Sequence, residues 1–169
     1  MLFRYHPSRA GNVAAEILGD FKGYLTQTDG YSGYEALGER EGLRHLGCMA
    51  HVRRKFVEVE KTAGKKGKGG TAHATLDLIG KLYDVERQAE KQQLNPEQIK
   101  VLRAEKSRPI LDKLKALLDA RAATTPPKSL LGKAIGYAIK QWERLVVYLE
   151  DGRLRPDNNI GSGAVAMSA

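Results

Sequence analysis

Along the first third of the chain, apolar residues alternate between short β-like runs and helical repeats. Leu2-Phe3-Arg4-Tyr5 reads as a short strand closed by His6-Pro7-Ser8. Over residues 10–21, Val13, Ala14, Ile17, Leu18 and Phe21 recur at helical spacing, and Gly23 marks the stop. Tyr24-Leu25-Thr26-Gln27-Thr28 is rich in β-formers and runs into the turn pair Asp29-Gly30. A short helix is expected at residues 34–38, a strand at 43–49, and a helix at 50–61 through Val52, Phe56 and Val59. Strands alternating with helices predict an α/β layer around a sheet.

Beyond a Gly- and Lys-rich stretch at residues 63–70, expected to be a mobile, exposed loop, the pattern is purely helical. Leu76, Ile79, Leu82 and Tyr83 form one apolar stripe. Asn95 before Pro96-Glu97-Gln98 has the layout of an N-cap with proline at the first helical position. Pro109 should kink or break that helix before Leu111, Leu114, Leu117 and Leu118 continue it. After Pro126-Pro127, Ser129 can cap a last helix whose stripe runs Leu131, Ile135, Ala138, Trp142, Leu145, Leu149, ended by Asp151-Gly152. The tail from Gly161 to Ala169 carries no charge and no aromatic, so a frayed end is expected.

Composition sharpens this picture in three ways. With 169 residues, 41% hydrophobic and 28% charged, the chain has the balance of a soluble domain of ordinary size. Its apolar runs are far shorter than the roughly 20 residues of a membrane span, and no secretory leader pattern follows Met1. The single cysteine, Cys48, excludes an internal disulfide and fits a reducing compartment, so a cytoplasmic location is expected. The net charge of +8 is uneven: residues 51–75 hold seven basic and two acidic groups, or +5, whereas residues 1–50 hold five and six, or −1. This excess lies in Arg53, Arg54, Lys55, Lys61, Lys65, Lys66 and Lys68. Such a block is the footprint of a protein that meets phosphate backbones, and equally that of a solvated face with a basic loop.

Candidate chemistry is sparse. Asp29 stands where a strand ends, the place where α/β sites gather, and reads either as a carboxylate for a divalent cation or as a turn aspartate before glycine. Cys48 and His51 are three apart, but no second pair completes a zinc site, and packing explains a single cysteine better than a thiol nucleophile does. The glycines of residues 64–70 fit neither a P-loop nor a dinucleotide fingerprint. Asp157-Asn158-Asn159 reads as a polar turn or cap cluster.

Taken in order, several segments resemble the transposases of the insertion-sequence-66 family. They are Tyr5-His6-Pro7-Ser8-Arg9; Thr28-Asp29-Gly30-Tyr31-Ser32-Gly33-Tyr34; Leu46-Gly47-Cys48-Met49-Ala50-His51-Val52-Arg53-Arg54-Lys55-Phe56; Leu82-Tyr83 with Glu86; Ser129 to Tyr137; Gln141-Trp142; Leu149 to Arg153; and Asp157-Asn158-Asn159. The resemblance implies a ribonuclease-H-like fold whose three carboxylates, the DDE arrangement, hold Mg²⁺ for attack on a phosphodiester of DNA. Asp29 then matches the second carboxylate. Residues 1–62 would be a partial catalytic core, 63–70 the basic loop, 71–150 a helical insertion and 151–169 a return segment with a divergent tail. Arg53, Arg54 and Lys55, with Lys65, Lys66 and Lys68, would contact DNA.

Three departures accompany the match. Met49 stands where the family usually has Trp. The family's first carboxylate lies upstream of the Tyr5-His6-Pro7 segment, and its third follows Asp-Asn-Asn in the pattern Asp-Asn-Asn-x-Ala-Glu-Arg, where this chain has Ser162. A hydroxyl does not replace a carboxylate as an anionic metal ligand. The expectation is a truncated, inactive transposase copy, or alternatively a remnant that binds DNA or pairs with a full-length transposase through its helical half. Unpaired sheet edges in such a fragment would favour self-association.

Overall fold

The structure is a computed structural model that describes residues 22–26, 42–64, 69–157 and 167–168. The strand expected at residues 2–5 and the helices expected at 10–21 and 34–38 lie outside the described residues, as does most of the tail.

Two short strands, β1 (Gly23–Thr26) and β2 (Leu43–Leu46), run parallel, Gly23 opposite Leu43 through Thr26 opposite Leu46. A two-residue strand, β3 (Met167–Ser168), pairs antiparallel with β1, giving the order β2-β1-β3. β2 ends three residues earlier than the apolar run suggests. At Gly47 the backbone N–H leaves the sheet and donates to the carbonyl of Arg144 at 2.8 Å, and Met49 already opens the next helix.

Helix α1 (Met49–Ala63) buries Met49, Val52 and Phe56, and α2 (Thr71–Lys91) buries a stripe including Thr75, Ile79, Leu82 and Val85. α3 (Pro96–Leu102) starts on the expected cap: Asn95 Oδ1 accepts from the Gln98 N–H, and the Gln98 side chain accepts from the Asn95 N–H, both at 2.9 Å. Pro109 does not end the helix. A π-helical turn, Arg103–Ser107, precedes it and leads directly into α4 (Arg108–Ala122). A wider turn there absorbs the missing N–H and the ring clash that proline imposes one turn back.

The expected last helix is divided. α5 (Leu130–Lys140) is capped by Ser129, whose hydroxyl oxygen accepts from the Gly132 N–H at 3.0 Å. The chain then breaks at Gln141, resumes as α6 (Trp142–Val146) and closes in a 3₁₀ turn, Val147–Leu149. The break lets α6 cross the end of β2, where Arg144 receives Gly47. Spacing of four and three along the stripe is satisfied on both sides of the break, so periodicity alone could not reveal it.

One core joins β2, α1, α2, α4, α5 and α6, with Phe56, Ile79, Leu118, Ala138 and Met49 at its centre. A smaller cluster of Val85, Ala89 and Leu102 lies between α2 and α3. The Leu131-to-Leu149 stripe belongs to the main core. Ile135, Ala138, Leu145 and Leu149 are buried, and Leu131 and Trp142 pack against them, so this stripe is no open docking face. No described helix is long and apolar enough to cross a membrane.

Candidate nucleic-acid interface

Because Val52 and Phe56 point into the core, the helical phase of α1 turns Arg53 and Arg54 outward, and both are exposed. Lys55 leaves along another face and sets its ammonium 4.6 Å from the centre of the Tyr137 ring, a cation–π contact with α5. The basic triplet expected to act together is therefore split two and one. Lys65, Lys66 and Lys68 lie outside the described residues.

Arg53 and Arg54 border a cleft of about 600 Å³ between α1 and α2. Ala50 and Val57 complete the α1 wall; Gly80, Tyr83 and Arg87 form the α2 wall; Asp157 of the return segment also lines it. Its size falls within the roughly 300–1,000 Å³ of small-ligand clefts. Tyr83 and Asp157 are hydrogen-bonded, and burial first, then this bond, pushes the Tyr83 phenol far above its ordinary pKa. The phenol therefore stays protonated and donates to the carboxylate. Arg87 pairs with Asp84 one turn away on the same helix, with both side chains about two-thirds exposed. Such surface pairs contribute only about 0–1 kcal/mol, so Arg87 can turn to an incoming anion. Three arginines thus line a cleft that holds one carboxylate, Asp157.

Asp157 is brought there by an anchored return segment. Arg103, 1% exposed, uses every N–H of its guanidinium. Nε and Nη2 grip the two oxygens of Glu86 at 2.9 and 2.7 Å. Nη1 donates to the carbonyls of Tyr148 and Asp151 at 2.7 and 3.0 Å, and Nη2 also donates to that of Leu154 at 2.8 Å. Gly152 presses so closely on the start of α3 that a Cβ there would stand 1.9 Å from the Pro96 carbonyl oxygen. Beyond it, the Met49 N–H donates to the Pro156 carbonyl at 2.8 Å, which fastens the segment at the start of α1, just past the carboxyl end of β2.

Several of these residues carry little signal in the sequence. Arg87 lies outside the basic block, one of many exposed cations of the helical half. Arg103 did leave a signal: it continues the spacing of Ser107, Leu111, Leu114 and Leu118, a charged residue in register with a core stripe. Tyr83 and Glu86, three apart on α2, stand in the sequence as part of an apolar stripe and as a motif position, with no sign that one lines the cleft and the other grips Arg103.

Asp29 lies outside the described residues, as do Asn158 and Asn159. Among the described residues no three His, Cys, Asp or Glu side chains come close enough to share a metal ion. Cys48 is buried and free. Asp157 shares its cleft with three arginines and accepts from the Tyr83 phenol. The described residues therefore do not form the Mg²⁺ site that the resemblance implies.

Comparison with known proteins bears on the whole chain. Three proteins of Sinorhizobium fredii (strain NBRC 101917 / NGR234), each described only as uncharacterized, are similar to it. y4jD is 33% identical over 92% of this chain, y4qI 32% over 96%, and y4hP 29% over 93%. The chain spans about 30% of the length of each. No solved structure matches. The sequence model described as "Transposase IS66 family" matches residues 1–165, a span that takes in α1, α2 and the return segment that together build the basic cleft. The chain belongs to the IS66 family of transposases.

Proposed function

We propose that this chain is the DNA-engaging part of an insertion-sequence transposase, acting in DNA cutting and strand transfer, with Arg53 and Arg54 contacting the phosphate backbone. One observation carries the reading. Family-matching segments far apart in sequence, at Arg53-Arg54, Tyr83 and Asp157, line a single basic cleft next to the carboxyl end of β2. Sites of α/β proteins gather at that end of the strands. In this reading residues 1–62 and the return segment belong to a ribonuclease-H-like DDE core and residues 71–150 form a helical insertion. The parallel pair β1–β2 and the purely helical run after it accord with that division. Asp29, three residues beyond β1, would be a ligand for a divalent metal, Mg²⁺ in this family, and the cytoplasm is where such a protein meets DNA.

Ser162 stands where the family places its third carboxylate, which supports a chain that binds DNA without performing strand transfer by itself. The test is a binding titration of the 169-residue chain against duplex and single-stranded DNA at several salt concentrations, with a strand-transfer assay in Mg²⁺ alongside. Affinity that falls steeply with salt, without strand transfer, is the expected result. Affinity indifferent to salt would refute the phosphate contacts, and Mg²⁺-dependent joining by this chain would refute its inactivity.

A further inference from the structure

We infer that Arg87, on the helical segment, joins Arg53 and Arg54 to form one pocket for a single backbone phosphate, beside the Tyr83–Asp157 pair. The inference rests on the DNA-binding reading above and adds to it a specific site and a contributor from α2. The ligand it takes is a phosphodiester, not a divalent cation.

Three features of the cleft argue for a bound phosphate over diffuse attraction. First, the cations are all arginines, and they approach from two helices that pack on each other through the core. A guanidinium presents its donors in a planar fork that matches phosphate oxygens, and the three arginines line one cleft from two helices packed on each other. Second, the three arginines outnumber the carboxylate that lines the cleft with them. Asp157 accepts a hydrogen bond from the Tyr83 phenol, which burial keeps protonated. Third, the wall between the guanidiniums is open. A Cβ built on Gly80, which lines the cleft, meets no atom within 4 Å, so a strand can approach α2 there. Lys55, although adjacent in sequence, is excluded from this pocket by its contact with Tyr137.

The same geometry gives Asp157 a role distinct from metal binding. Its bond to Tyr83 ties the end of the described return segment to α2, so a phosphate held by the arginines would lie beside Asp157.

The experiment compares Arg87→Gln, Arg53→Gln and the double variant with Lys113→Gln, which removes the same charge from the exposed face of α4. Each protein is titrated with a short single-stranded and a duplex oligonucleotide at 50–200 mM salt, an ordinary range for such slopes. A single-site pocket predicts that Arg87→Gln lowers affinity about tenfold and flattens the slope of log K against log salt by about one, as Arg53→Gln does, while Lys113→Gln changes either little. The double variant should lose less than the product of the two single losses, because both side chains serve one phosphate. If the unmodified chain binds with a steep slope but Arg87→Gln behaves like Lys113→Gln, the pocket is wrong and the DNA-binding reading survives. Independent losses in the double variant would likewise overturn the single-phosphate site. If the unmodified chain shows no salt-dependent binding at all, the broader reading fails and takes the pocket with it. Unchanged circular dichroism and urea midpoints of the variants, whose side chains are exposed, separate lost contacts from lost folding.

Discussion

Replacing Arg103 by methionine keeps length and apolar stem but removes all five donors, and the consequences can be worked from their partners. Glu86, its side chain only 16% exposed, loses both hydrogen bonds to the guanidinium, and the carbonyls of Tyr148, Asp151 and Leu154 lose a donor each. Breaking a buried ion pair from one side typically costs about 3–5 kcal/mol. The three carbonyls would add about 1 kcal/mol or more apiece if they stayed dry, but the return segment can lift away and hydrate them. A total near 4–5 kcal/mol is expected, a large share of the roughly 5–15 kcal/mol that holds a domain of this size together. Glu86→Gln keeps one acceptor for Nε and should cost less, about 2 kcal/mol. Because the two residues share one interaction, the double variant should fall short of additivity by more than about 1 kcal/mol. Urea unfolding at fixed pH reads these differences. Amide hydrogen exchange should show residues 148–157 opening first in Arg103→Met, before α1 or α4. A loss below about 1 kcal/mol for Arg103→Met, or strict additivity in the pair, would refute the assignment of Arg103 as the anchor of the return segment.

His45, 5% exposed on β2 with neither ring nitrogen hydrogen-bonded, has its pKa held below 6.5 by burial and secondarily by the charge of Arg144. The unfolded chain therefore binds the extra proton first, so stability should fall as pH drops below about 6.5 and be insensitive to this group above it. Urea midpoints at successive pH values should show that fall, and His45→Leu should reduce it. Two glycines of α5 should respond oppositely to alanine: Gly136→Ala, with open space at its Cβ, gains about 0.5–1 kcal/mol, whereas Gly132→Ala destabilises, because its Cβ would lie 2.2 Å from the Pro126 carbonyl oxygen. Thermal melts of the two single variants check this, and a gain for Gly132→Ala would contradict the packing of α5 on the Pro126-Pro127 turn. Asn95→Ala removes one half of the capping box of α3 and should cost about 1 kcal/mol, read from the same melts.

Much of the architecture was legible along the chain, because its determinants are local. Asn95 and Ser129 cap helices through side chains that reach their own backbone three residues on, and the apolar stripes of α1, α2 and α4 mark the faces that the core covers. The basic block and the family-matching segments were likewise visible in one dimension. What spacing could not carry was anything that depends on two distant segments meeting. The break at Gln141 follows from α6 crossing β2. The π-helical turn before Pro109 coincides with an inward-facing Arg103, whose partners lie on α2 and in the return segment. Lys55 was separated from Arg53 and Arg54 by an aromatic ring on α5, and Arg87, unremarkable in sequence, was added to them by the packing of α2 on α1. Hydrophobic burial is non-directional and set by which residues are apolar, so the sequence alone determined which faces turn inward. Convergence of charges on one cleft is a matter of angles and distances between helices, and only the tertiary structure decided it.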